Sequence, residues 1–180
     1  MRFALPLLAG LLLSTPALAA KGHSHGVAEL AISIEGELLS IELEAPLDSL
    51  LGFERKPQYE KDFAKVREVA ALLRAGDKLF VPTAAAGCIL SSVKLESAAI
   101  APELLGEKAA PTAKADAHGH EHADLDAHYQ FKCARPAELK SIEVNTFDRF
   151  KRLRFIDAQL AADKIQRAAK LSAKSRKLSW

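Results

Sequence analysis

The six histidines of this 180-residue chain fall in two stretches. His23 and His25 flank a serine, while His118, His120 and His122 alternate with Gly119 and Glu121, and His128 follows just beyond. Imidazole, with an ordinary pKa of about 6.5, is largely neutral near pH 7 and offers a lone pair that suits Zn2+, Cu2+ and Ni2+. Zinc takes three or four such donors in a tetrahedral array, and carboxylates can complete the set. Asp116, Glu121 and Asp124 stand among the histidines of the second stretch. The pattern points to a binder of a divalent transition metal, Zn2+ first, with Cu2+ or Ni2+ as alternatives.

A second, more rigid site is expected from strand parity. His23 and His25 share the side of their strand opposite to Ala28, Leu30 and Ile32, and Asp126 and His128 share the outward side of theirs. If the two strands are neighbours, these four groups converge on one open sheet face. A square-planar Cu2+ or Ni2+ site depends on processing. Cleavage after Ala20 leaves Lys21-Gly22-His23 at the new terminus, whereas cleavage after Ala19 moves His23 to the fourth position and removes that nitrogen set.

Enzyme signatures are weak. His120-Glu121-His122-Ala123-Asp124 resembles the opening of the His-x-His-x-Asp-His signature of the metallo-β-lactamase superfamily, but Leu125 breaks it and no histidine follows His128. There is no His-Glu-x-x-His, Gly-x-Ser-x-Gly or phosphate-cradling glycine loop, so the chain reads as a binder and not an enzyme.

The elements that position these residues begin with an export signal. Arg2, the apolar run Leu5 to Leu13 and the small-residue site Ala17-Leu18-Ala19 read as a signal peptide over residues 1–19. Nothing later is long and apolar enough to span a membrane, so residues 20–180 are expected as a single exported zinc-binding domain in the periplasm. Lys and Arg total 25 against 23 Asp and Glu, without a basic stripe, which leaves no nucleic-acid partner. Cys88 and Cys133, the only two cysteines, are expected as a disulfide in an oxidising compartment. Zinc thiolates are the rival reading, although such ligands usually come in short-spaced pairs.

Alternation from Gly26 to Ala45 about a turn at Glu35-Gly36 predicts a hairpin, and Leu47 to Phe53 an apolar connection. Pro57 opens a helix with Tyr59, Phe63, Val66, Val69, Ala70 and Leu73 on one face, and Gly76 stops it. Further strands are expected at 78–81, 88–96, 125–133, 141–144, 153–160, 164–171 and 176–180, with a helical turn at 136–139. Residues 98–123 lose all periodicity and are expected as a long flexible His-containing loop. The sum is an α+β fold, a mostly antiparallel sheet with one main helix packed on it.

His23-x-His25-Gly26-x-Ala28-x-Leu30, the segment Ala45-Pro46-Leu47 to Leu51-Gly52-Phe53-Glu54, and His122-x-Asp124-Leu125-x-x-x-Tyr129-x-Phe131-x-Cys133-x-x-Pro136 together resemble the ZrgA-like zinc-uptake proteins. The resemblance implies a periplasmic zinc-binding component that serves an inner-membrane ABC-type importer. It also implies that His23, His25 and the 118–128 segment face metal, and that Cys88 and Cys133 form a structural bridge. The His-rich loop is short for that family. A copper- or nickel-binding periplasmic chaperone and a non-metal interaction module are the alternative functions.

Overall fold

Strict alternation of apolar and polar residues builds the centre of the fold. The computed structural model of the protein describes residues 24–108 and 123–180. The expected signal peptide, His23, Asp116, His118, His120, Glu121 and His122 lie outside them. β1 (Val27–Glu35) and β2 (Leu38–Pro46) form the expected antiparallel hairpin. Ala28, Leu30 and Ile32 of β1, and Leu39, Ile41, Leu43 and Ala45 of β2, are buried, while the intervening residues form a wet face.

β5 (Asp124–Cys133) pairs antiparallel with β2, and β4 (Cys88–Glu96) with β5. On the other side β7 (Phe155–Ala162) lies parallel to β1 and carries β8 (Ile165–Ser172) antiparallel at the edge. The sheet order is β4-β5-β2-β1-β7-β8. Because β1 and β5 are each antiparallel to β2, they run in one direction and start at the same end of the sheet. Cys88 stands opposite Cys133 in the β4–β5 register and the two are joined as a disulfide, so their sulfurs are not available as zinc thiolates.

The α+β expectation is corrected: the protein is mostly β. Nine strands among the described residues form the six-stranded sheet and a second sheet of three, ordered β3-β6-β9, from β3 (Phe80–Pro82), β6 (Ser141–Val144) and β9 (Lys177–Ser179). α2 (Glu60–Arg74) is the only helix there longer than five residues; α1 (Leu47–Leu51), α3 (Gly76–Leu79) and α4 (Thr146–Arg149) are single turns. The layer opposite the main sheet, expected as helix alone, is α2 together with the small sheet. Its strands are too short to cover the core singly, but by pairing they satisfy their backbones and bury Phe80, Ile142, Val144 and Leu178 against it.

Local boundaries move for identifiable reasons. α2 buries Val66, Val69, Ala70 and Leu73 as its spacing requires, but it starts at Glu60 and not at Pro57, which leaves Tyr59 58% exposed. Gly76 does not stop the helix; it opens α3, which takes Lys78 out of the expected strand. A Cβ on Gly76 would lie 2.5 Å from Cδ1 of Tyr129, so the glycine serves close packing on that ring. The flexible loop expected from residue 98 begins instead with a packed 3-10 turn, Pro102–Leu105, in which Leu105 is buried. Arg74 Nε and Nη2 donate to the Leu105 carbonyl at 3.0 and 2.8 Å, and Arg74 pairs with Glu107.

Asp62 fixes the entry to α2 and, with it, the segment that carries Glu54. Its buried carboxylate accepts from Arg55 Nη1 at 2.6 Å and from the Gln58 and Tyr59 amides at 3.1 and 3.2 Å. Arg55 also lies over the rings of Phe53 and Tyr59. The Arg55 hydrogen bond, helped by the two amides and opposed by desolvation, holds the Asp62 carboxyl down to about 2 from an ordinary 3.8. A carboxyl depressed on folding stabilises the fold above its ordinary pKa, and that contribution is lost as pH falls toward the folded value. Thermal melts of the parent should therefore steepen in their pH dependence between about pH 4 and about pH 2. Asp62→Asn should be less stable at pH 7 and flatter across that window. Parallel curves for the two proteins would show that Asp62 is not the group responsible.

Candidate metal centre

The topology brings His25 and Ala123, the first described residue after the His-rich stretch, to one end of the main sheet. His25 precedes β1, and His122 is followed by Ala123, whose carbonyl accepts from the Leu47 amide at 2.7 Å just before β5 begins. Leu47 opens α1, directly beside Asp48, so Ala123 enters the sheet next to one of the residues that face His25.

His25 is held in place by its backbone while its ring stays accessible. Gly26 N donates to Ser49 Oγ at 3.0 Å, Arg154 Nη2 donates to the His25 carbonyl at 3.1 Å, and the Arg154 and Phe155 amides both donate to the Gly26 carbonyl. The exposed ring presents Nδ1 to two carboxylates, Glu54 Oε1 at 3.1 Å and Asp48 Oδ2 at 3.5 Å. Asp48 is mostly buried and is gripped by Arg152, whose Nη2 lies 2.8 and 2.9 Å from its two oxygens. One imidazole nitrogen thus faces two carboxylates, one from α1 and one from the segment after it, residue types that Zn2+ accepts but here held as ion pairs and not as a closed ligand set.

His128 has a different setting, on the open face in mid-β5. Glu42 of β2 lies 3.6 Å from its Nδ1 and Glu96 of β4 lies 3.5 Å from its Nε2. Lys94 Nζ holds the other oxygen of Glu96 at 2.8 Å. One row further on, five carboxylates occupy matched positions on five adjacent strands, Glu96, Asp126, Glu44, Glu29 and Asp157, and the row ends at Lys170. Half-buried Asp126 is pushed up to about 6, first by desolvation and then by Glu44, with Asp124 and Glu42 adding and His128 opposing. Like charges at directly paired positions cost a sheet stability, so this face favours any cation that settles on it.

The expected sharing of one face by His25 and His128 is not observed, because β1 and β5 are not neighbours and β2 lies between them. His128 is level with Glu42 and hence with Ala31. His25 lies six residues before Ala31, about 20 Å away along the strand direction at ~3.3 Å per residue. Asp124 is buried at the start of β5 with its carbonyl accepting from Ser97 Oγ at 2.6 Å, and Asp126 is on the carboxylate row. Among the described residues no three or more His, Cys, Asp or Glu side chains are gathered into a finished metal site. Each of the two described histidines stands instead between two carboxylates.

Sequence reasoning missed Asp48, Glu54, Glu42 and Glu96. The signal for Glu42 and Glu96 was their outward parity on strands; for Asp48 and Glu54 it was a charge set in an otherwise apolar connection. No helix among the described residues is long and apolar enough to cross a membrane. No curated protein matches the chain. Residues 22–180 match the family described as the ZrgA family zinc uptake protein.

Proposed function

The chain belongs to the ZrgA family of zinc uptake proteins, and from that premise we propose that it is a periplasmic carrier that binds Zn2+ and delivers it to an inner-membrane ABC-type importer. In this reading residues 1–19 direct export and are removed, and residues 20–180 act as one zinc-binding unit. His23, His25, His118, His120 and His122, with Asp116, Glu121 and Asp124 as supporting carboxylates, bind the zinc cargo, while His128 and Asp126 stand apart from His25 on the open face.

The observation that supports this reading is His25 standing beside two carboxylates at the end of the sheet where Ala123 leads into β5. His25 faces Asp48 and Glu54 there, and the Ala123 carbonyl accepts from the Leu47 amide at the same corner. The carboxylate row on the open face adds a negative field that draws cations toward that side of the molecule.

Ligand histidines must shed their protons, so binding weakens as pH falls through the ordinary imidazole range. Calorimetry should show the Zn2+ affinity falling about tenfold for each histidine ligand between pH 7.5 and pH 5.5. His25→Ala should weaken binding at pH 7.5 as well. Elemental analysis of tag-free protein from its own compartment should find zinc. A flat affinity across that pH range, or material that refuses micromolar Zn2+, overturns the proposal; growth impaired by copper excess but not by zinc starvation in a strain lacking the protein would move it to copper.

A further inference from the structure

We infer that a basic depression beside the His25 corner is the surface on which a carboxylate-rich segment of a zinc-accepting protein docks. The inference rests on the carrier reading and adds to it the place and the chemistry of the partner.

Charge is distributed unevenly along the chain. Residues 149–180 carry ten of the 25 lysines and arginines but only two of the 23 aspartates and glutamates. Three of these cations, Lys151 after α4, Arg154 before β7 and Lys174 between β8 and β9, surround a shallow depression of about 480 Å³. All three are exposed, and none makes an ion pair with a carboxylate among the described residues. Lys151 Nζ reaches the Phe147 carbonyl at 3.5 Å, and Arg154 Nη2 the His25 carbonyl at 3.1 Å. Arg152, Lys170 and Arg176, by contrast, are matched by Asp48, Asp157 and Asp148. Asp148 is the sole carboxylate among the lining residues, and Arg176 holds both of its oxygens, at 2.6 and 3.2 Å. Unpaired like charges held together repel one another, so the cluster favours an anion that settles among them.

The apolar lining supplies the other half of a docking surface. Phe147 and Leu153 line the depression as buried residues, while Phe155 keeps 40% of its surface exposed there. Aromatic rings and arginines are enriched in protein interfaces, and charges around them set the rate of encounter. A concave lining takes a projecting chain segment, whereas a bilayer offers a flat face, so the shape favours a protein over a membrane.

The recipient's own chemistry supplies the sign. A protein that accepts Zn2+ must bring carboxylates, thiolates or imidazoles, and without its ion such a site is negative or neutral and not positive. The depression adjoins the donor corner, since Arg154 holds the His25 carbonyl and the Phe155 amide donates to the Gly26 carbonyl at 3.0 Å. An acidic segment seated on Lys151 and Lys174 is thereby held next to His25.

The test uses the full mature chain near neutral pH and a short synthetic peptide alternating glutamate with histidine, against a second peptide in which glutamines replace the glutamates. Docking is read first without zinc: the amide NMR signals of Lys151, Phe155 and Lys174 should move with the acidic peptide and not with its neutral counterpart, and should move less at high salt. Lys151→Gln with Lys174→Gln should weaken that binding about tenfold, whereas Lys164→Gln with Arg167→Gln, which removes equal charge from the far end of the β7–β8 hairpin, should change it less than about twofold. Arg154 is left in place because it holds the His25 carbonyl. In the zinc-loaded chain the first pair of substitutions should slow transfer of Zn2+ to the acidic peptide by about tenfold while leaving Zn2+ affinity within about twofold of the parent. Unmoved signals, equal losses in the two double variants, or binding of phosphatidylglycerol vesicles but not of the peptide overturns the docking surface and leaves the carrier reading intact. Docking by a chain that takes up no Zn2+ sinks the carrier reading instead.

Discussion

Cys88→Ser combined with Cys133→Ser should lower the free energy of unfolding by up to roughly 4 kcal/mol, the loop-entropy value for a bridge closing 45 residues. Reduction of the wild-type protein should do the same. The bridge sits at one end of the β4–β5 pair, and the chain it closes includes the packed turn at Leu105 and the whole His-rich stretch. Without the bridge, the unfolded chain regains the freedom of that long excursion, while the native pair keeps its register from Ile89↔Lys132 to Glu96↔Asp126. The effect should therefore fall on stability and spare the sites. Urea unfolding, with free thiols counted, should show a lower midpoint and a somewhat steeper slope, because the uncrosslinked unfolded chain exposes more surface. Zn2+ affinity of the folded variant should stay within about threefold of the parent, because the bridge lies at the end of β5 opposite to Asp124 and the His25 corner. An unchanged midpoint would mean that the two strands are already held as tightly in the unfolded ensemble, or that the bridge does not form.

Period-two patterning carried far in this chain. The hairpin, β4, β5 and the inward set Leu125, Ala127, Tyr129, Phe131 and Cys133 could be read directly, because a one-residue slip would send every one of these side chains to the wrong face. The strands of the small sheet are expected at 78–81, 141–144 and 176–180, but their pairing with one another as a separate sheet is not. β3, β6 and β9 span three, four and three residues, and each acquires its identity only from partners far along the chain. A run that short holds too little pattern to tell which sheet it joins, so with every strand assigned to one sheet a helix was left as its only cover. The same limit shaped the view of the sites. That Glu42 and His128 both point outward was legible from their strands; that they stand side by side follows from the β2–β5 pairing, which no local pattern encodes. Parity placed His25 and His128 on compatible faces, but strand order, with β2 between β1 and β5, decided that they do not meet.

Gly26→Ala should be the single substitution that damages stability and zinc binding together. Gly26 has φ of +78°, a left-handed conformation that costs an alanine about 1 kcal/mol. An added Cβ would also lie 2.8 Å from Arg154 Nε and 2.9 Å from the Arg152 carbonyl oxygen. The arginine side chain can swing away, but the carbonyl belongs to the backbone leading into β7, so the start of β1 must shift. Overpacking of this kind costs about 1–3 kcal/mol, for a total of about 2–4 kcal/mol. Gly52→Ala provides the control. Its φ is +86°, yet the nearest atom to a new Cβ is Arg152 Cδ at 3.9 Å, so it should lose only the conformational part, about 1 kcal/mol. The difference between the two variants isolates the close approach at Gly26. That approach is what aims His25, since Gly26 N is bound to Ser49 Oγ and the Gly26 carbonyl takes both the Arg154 and Phe155 amides. With β1 displaced, Nδ1 no longer meets Asp48 and Glu54 together, and the Zn2+ response of the His25 ring should weaken by about tenfold, whereas Gly52→Ala should leave it near the parent value. Equal losses in the two variants, in urea midpoint or in zinc response, would show that backbone conformation alone matters there and that the contact with the Arg152 carbonyl does not position the histidine.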